Sequence, residues 1–175
     1  VTMSARASGT ELHASMGAPR PPLDAWPVQL ADPAFGFLWY LPRDVVLVTQ
    51  FVHDRATPAR VHCLQDHVEA LVRARAEAVE RAGGLTLVHD WRSMRTYETG
   101  SRQAMVARIQ RRGTAYIKRS YFALADRPLV RLGTTLLNAS HTLGIADGIR
   151  VVKDLDATLA ELGLSAPEPD ASWRD

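Results

Sequence analysis

The feature that most constrains this chain is a hydrophobic period that switches repeatedly along its length. Phe37–Leu41 is a short apolar run closed by Pro42, and Val45–Val52 is continuous and β-branched. Such runs form strands buried on both faces, and Pro42-Arg43-Asp44 between them is short enough for a hairpin turn. The period then lengthens. Val61, Leu64, Val68, Leu71, Val72 and Val79 recur at three- and four-residue steps, with Pro58 before them and Gly83-Gly84 after. Those are the start and stop signals of a long amphipathic helix.

The alternation continues to the end of the chain. Leu85–His89 predicts a strand. A second helix runs from near Gly100 to Arg112, with Met105 and Ile109 facing inward and Gly113 as its stop. Ala115–Leu124 is a strand of mixed character. Asp126 caps a third helix with Pro128 near its start, the stripe Leu129, Leu132, Leu136 and Leu143, and Gly144 as its stop. Ile149–Val152 is the last strand, and Asp154 caps a final helix through Leu162. The order is β-β-α-β-α-β-α-β-α. Strands alternating with helices need crossover connections, so the fold class is α/β: a mostly parallel mixed sheet with an antiparallel N-terminal hairpin, covered by helices.

Three segments follow from this reading. Residues 1–33 are rich in Pro, Ala and Ser and are expected to be flexible at their start, with Trp26, Val28 and Leu30 anchoring the last part. Residues 34–164 form one α/β domain, and 165–175 a loose tail. A net charge of +2 makes no case for nucleic acid, although Arg108, Arg111, Arg112, Lys118 and Arg119 gather locally at a helix end. The single cysteine, Cys63, excludes an internal disulfide and fits a reducing compartment. No apolar run approaches the ~20 residues of a membrane span, and Val1–Pro22 lacks the apolar centre of a secretory signal. The cytoplasm is the expected location.

Catalytic motifs are sparse. The chain has no Gly-x-Ser-x-Gly, Gly-x-Gly-x-x-Gly or Gly-x-x-x-x-Gly-Lys pattern, so no catalytic residue and no cofactor is assigned. Cys63 and His67 lie one helical turn apart, with His62 beside them, and His53 and His89 elsewhere. A structural zinc wants four ligands and no second pair accompanies this one, so no metal is expected. A nucleophilic Cys–His pair would need a third, orienting group that nothing in the sequence identifies. Asp90 ends a central strand, where open α/β sheets place ligands. Its carboxylate either does chemistry or holds the following loop by its amides.

That loop carries the candidate site, in the stretch His89-Asp90-Trp91-Arg92-Ser93-Met94-Arg95-Thr96-Tyr97-Glu98-Thr99-Gly100-Ser101. Together with the element order over residues 35–163, it resembles the STAS family of anti-sigma-factor antagonists and its SEC14-like relatives. In that family a central strand ends in Asp or Asn, and an Asp-Ser-Ser-Gly box then opens a helix whose first Ser is phosphorylated by a partner kinase. Asp90 matches the strand end, and Glu98-Thr99-Gly100-Ser101 stands in the box, with the last two residues in swapped order. Pro128–Gly133 and the terminal strand and helix also look like STAS-like chains. The resemblance implies a non-enzymatic regulatory module. It would bind a protein partner, such as an anti-sigma factor or a kinase-like regulator, through Trp91, Arg92, Arg95, Tyr97, Glu98 and Arg102. Asp90 and Gly100 would shape the loop, and Thr99 or Ser101 would accept phosphate or simply cap the helix. Trp91 and Tyr97 are expected to form an exposed patch. The alternatives are a small-molecule or lipid binder of the SEC14-like kind, and a structural subunit of an oligomer.

Overall fold

The structure is a computed structural model that describes residues 18–112, 116–124 and 148–168. Strands β1 (Leu30–Asp32), β2 (Gly36–Leu41), β3 (Val46–Phe51), β5 (Leu85–Asp90), β7 (Ile117–Ala123) and β8 (Ile149–Val152) form one six-stranded sheet in the order β1-β2-β3-β5-β7-β8. β1, β2 and β3 are antiparallel; β3, β5, β7 and β8 are parallel. The fold is thus α/β with a mixed sheet, as the alternating period predicts. Two-residue strands β4 (Arg55–Ala56) and β6 (Thr96–Tyr97) pair in parallel apart from it.

Among the described residues the helices are α1 (Pro58–Ala74), α2 (Ala76–Arg81), α3 (Thr99–Arg112) and α4 (Leu155–Glu161). Thr57 caps α1 by accepting from the Arg60 amide at 3.3 Å, and Pro58 fills the first position. Asp154 caps α4 through the Ala157 amide at 3.0 Å. The long helix predicted through Val79 is in fact two. Arg75, at φ −122° and ψ 28°, separates α1 from α2 in a stretch with no large apolar side chain between Val72 and Val79. The predicted helix at 126–143, the Gly113 and Gly144 stops and the inward placement of Ile109 lie outside the described residues.

Each face of the sheet has its own core. On one face Leu38, Leu47, Phe51, Leu85 and Leu87 meet Val61, Leu64, Val68 and Leu71 of α1, Val79 of α2 and Met105 of α3. On the other, Phe37, Trp39, Val46, Val48 and Val88 meet Leu155 and Leu159 of α4. Side chains alternate along a strand, so β2 and β3, buried at every position, are apolar on both faces apart from Thr49 and Gln50. The second core also takes in Leu23 and Trp26, the latter edge-on to Trp39 at 5.9 Å. No helix among the described residues is long and apolar enough to cross a membrane.

One strand of the six-stranded sheet was not evident in the sequence. Leu30–Asp32 adds β1 to the sheet edge, beside β2. Gly36 opens β2 at φ +146°, where a Cβ would sit 2.0 Å from the Gln50 carbonyl oxygen, so only glycine lets the strands approach there.

Candidate functional site

The carboxyl ends of β3 and β5 carry two buried cross-strand polar pairs. Thr49 faces His89, and Gln50 faces Asp90. Thr49 Oγ1 lies 2.8 Å from His89 Nδ1, and the imidazole stacks on Phe122 at 4.5 Å on the side of α1 and α3. On the opposite face Gln50 Nε2 donates to Asp90 Oδ2 at 2.7 Å.

Asp90 is only 1% exposed, yet its carboxylate accepts four hydrogen bonds. Beside that from Gln50, Arg92 donates from its amide at 3.2 Å, from Nε at 2.7 Å and from Nη2 at 2.9 Å. A carboxylate has about four acceptor sites, so this one is filled. Asp90 therefore pins the turn into the next segment, the loop-holding alternative of the two the sequence left open. In return the Asp90 hydrogen bonds hold the Arg92 guanidinium above its ordinary value, against the opposing effect of burial. The N-terminal segment closes over this network. The Arg20 amide donates to Gln50 Oε1 at 3.2 Å, and Arg92 Nη2 donates to the Pro21 carbonyl at 2.6 Å.

The expected patch at Trp91 is corrected by the structure. Trp91 is 4% exposed, edge-on to Phe122 at 5.0 Å, and its amide donates to the Ala123 carbonyl at 2.9 Å. It continues the period-two face of Leu85, Leu87 and His89, which was the available signal for its burial. Its indole N–H is buried with no acceptor among the described residues.

Past Trp91 the chain is tied to the loop before α1. The Arg95 and Thr96 amides donate to the Asp54 carbonyl at 2.7 and 3.0 Å, and the Glu98 amide to the Ala56 carbonyl at 3.0 Å. Ser101 Oγ donates to the same Ala56 oxygen at 2.9 Å, and Ser101 is 3% exposed. This withdraws Ser101 from any kinase; it shares a helix face with Met105 four residues on. Thr99, by contrast, is exposed at the start of α3.

The amino ends of α1 and α3 are neighbours. A Cβ on Gly100 would lie 3.1 Å from Pro58 Cγ. Arg55, Arg95 and Arg102, in the segments that meet here, are exposed, as is Thr99. Arg55 is paired with the half-buried Glu98 at 3.2 Å, and Arg60 Nη1 holds the Arg55 carbonyl at 2.9 Å. Tyr97 is half-buried. Beneath them an apolar cleft lined by Phe35, Phe51, Leu64, Met94 and Met105 has a cavity of about 20 Å³. That is room for about one water, far short of the several hundred Å³ of a ligand pocket.

The histidines and the cysteine divide differently from the sequence. His89 is engaged with Thr49, and His53 Nε2 lies 2.9 Å from the Pro33 carbonyl. Cys63 and His67 are joined instead by Asp32 of β1. His67 Nε2 lies 2.8 Å from Asp32 Oδ2, and donor atoms of all three residues fall within 4.8 Å of one another. Burial pushes the Cys63 thiol up to about 12, helped by the charge and hydrogen bond of Asp32 and the charge of Asp66. Burial also acts to raise Asp32, but hydrogen bonds from His67, the Ala34 amide and Cys63 outweigh it and leave that carboxyl below its ordinary 3.8. With Asp32 taking the thiol hydrogen bond, Cys63 is not an activated nucleophile.

No family model, no curated protein and no solved structure matches this chain.

Proposed function

We propose that the chain is a regulatory protein-interaction module that docks an acidic partner on the face where α1 and α3 begin. One observation carries this reading: the segments that meet where α1 and α3 begin expose Arg55, Arg95, Thr99 and Arg102, with Arg102 at the rim of the apolar cleft. Arginine and tyrosine are residues protein interfaces favour, Tyr97 is half-buried here, and the helix amino ends add positive potential to the same spot. The STAS-like order of elements points the same way. Thr99 is then the control point. A phosphate there carries about −1.5 to −2 charges into the arginine cluster and competes directly with an acidic partner.

Affinity capture with the full chain as bait, from cells of its own source, tests the reading. An R95E/R102E variant is expected to lose the partner that the unaltered chain and an R73E control retain, since Arg73 is exposed near the far end of α1. Equal capture by all three would remove the assignment.

A further inference from the structure

The trio of Asp32, Cys63 and His67 belongs to neither the buried Asp90 network nor the face around Thr99. Cys63 and His67 are one turn apart on α1, which puts both side chains on the same side of the helix. Asp32 reaches them from the end of β1, 31 residues earlier than Cys63 in a chain whose intervening strands bring the two together. We propose that these three residues form a binding site for one transition-metal ion of the Zn²⁺ class.

Three observations carry the assignment. The first is distance. Atoms no more than 4.8 Å apart share a centre at most about 2.8 Å from each, so a contraction of roughly half an ångström gives zinc bonds of ~2.0–2.3 Å. The second is donor type. A thiolate with an imidazole and a carboxylate selects Zn²⁺ or Co²⁺ over Mg²⁺ or Ca²⁺, which prefer oxygen alone. The third is support and access. Asp32 Oδ1 accepts from the Ala34 amide at 2.9 Å, which orients the carboxylate with Oδ2 towards His67. The side chains of His67 and Asp32 keep 16% and 27% of their exposure, and Cys63 is likewise half-buried, so an ion can enter from solvent. Three protein ligands leave a fourth position for water, the pattern of an open site.

Binding exchanges bonds without redox change. The Cys63 S–H bond breaks, its proton goes to solvent, and the sulfur electron pair bonds the ion. The ion replaces the His67–Asp32 hydrogen bond with two bonds to metal, and the Nε2 proton of that bond leaves, to solvent from an imidazolium or to Nδ1 by tautomerisation from a neutral ring, so that the Nε2 lone pair can bond. It also ties β1 to α1, so loading orders the sheet edge.

Titration of the full, chelator-stripped chain with Co²⁺ alone tests this without any variant. One equivalent is expected to produce a thiolate-to-cobalt charge-transfer band and the visible bands of a tetrahedral ion, both abolished by added Zn²⁺. C63S should lose the charge-transfer band. H67Q and D32N should weaken binding at least tenfold, whereas H62Q should bind like the parent chain. Absence of the thiolate band in the unaltered chain would overturn the site. So would binding that is lost in H62Q and kept in H67Q.

Discussion

Gln50 and Asp90 sit directly opposite each other on adjacent parallel strands, and the amide of one donates to the carboxylate of the other at 2.7 Å. This pair, with Arg92, is a polar knot inside an apolar face. Breaking a buried pair from one side leaves an uncompensated group and costs about 3 kcal/mol or more. Asp90→Ala and Arg92→Ala are each expected to lower unfolding stability by about 3 kcal/mol in urea melts. The double variant should cost clearly less than their sum, because the second change removes the group the first left stranded. Additive losses would show that the two side chains act separately.

The Cys63 thiol, pushed up to about 12 by burial and then by Asp32 and Asp66, holds its proton well past the ordinary 9.0. The folded state therefore gains stability that is fully present below pH 9 and lost as pH rises towards 12. Alkylation reads the same shift directly, since only the thiolate reacts. The rate in the folded chain is expected to climb about tenfold per pH unit from about pH 8 to about pH 11 without levelling. In the urea-unfolded chain it should level off above pH 9, the ordinary thiol value. A plateau near pH 9 in the folded chain would contradict the burial seen here.

Trp91 offers a finer test, because its ring packs well while its N–H does not. Trp91→Ala opens a cavity between α3 and β7 and is expected to cost ~3–5 kcal/mol. Trp91→Phe keeps much of the ring and deletes a buried donor that has no acceptor among the described residues. An unsatisfied donor costs ~1–3 kcal/mol, so this change is expected to cost less than about 1.5 kcal/mol in the same urea melts. A loss as large as that of the alanine variant would mean the indole nitrogen has a partner.

How much of this was legible in the sequence depended on the length of each signal. β2, β3 and β5 announce themselves as six-residue runs of mostly apolar residues, and α1 by its stripe and by Pro58. β1, β4 and β6 have two or three residues each, too few for any period to show. That brevity hid Asp32, and with it the third member of the Cys63–His67 cluster, since the pairing of β1 with β2 is a tertiary fact. Alternation tells which face a side chain takes but not how deep that face lies. For this reason the sequence points to an exposed Trp91, and leaves Ser101 open as phosphate acceptor or cap, where the structure buries both. Thr99, one helical position from a residue with a neighbouring helix end against it, kept the exposure that Ser101 lost.

Leu23 and Trp26 share a core with Leu155, Leu159 and Leu164. The two ends of the described chain thus complete one hydrophobic layer between them. During synthesis the α1–α3 layer lacks only Ile149 of its described parts once β7 has emerged, whereas Leu23 and Trp26 must wait for α4 to leave the ribosome. A message truncated before residue 155 would yield a nascent chain in which Leu23, Trp26, Trp39 and Val48 lack Leu155 and Leu159, apolar surface of the kind chaperones hold.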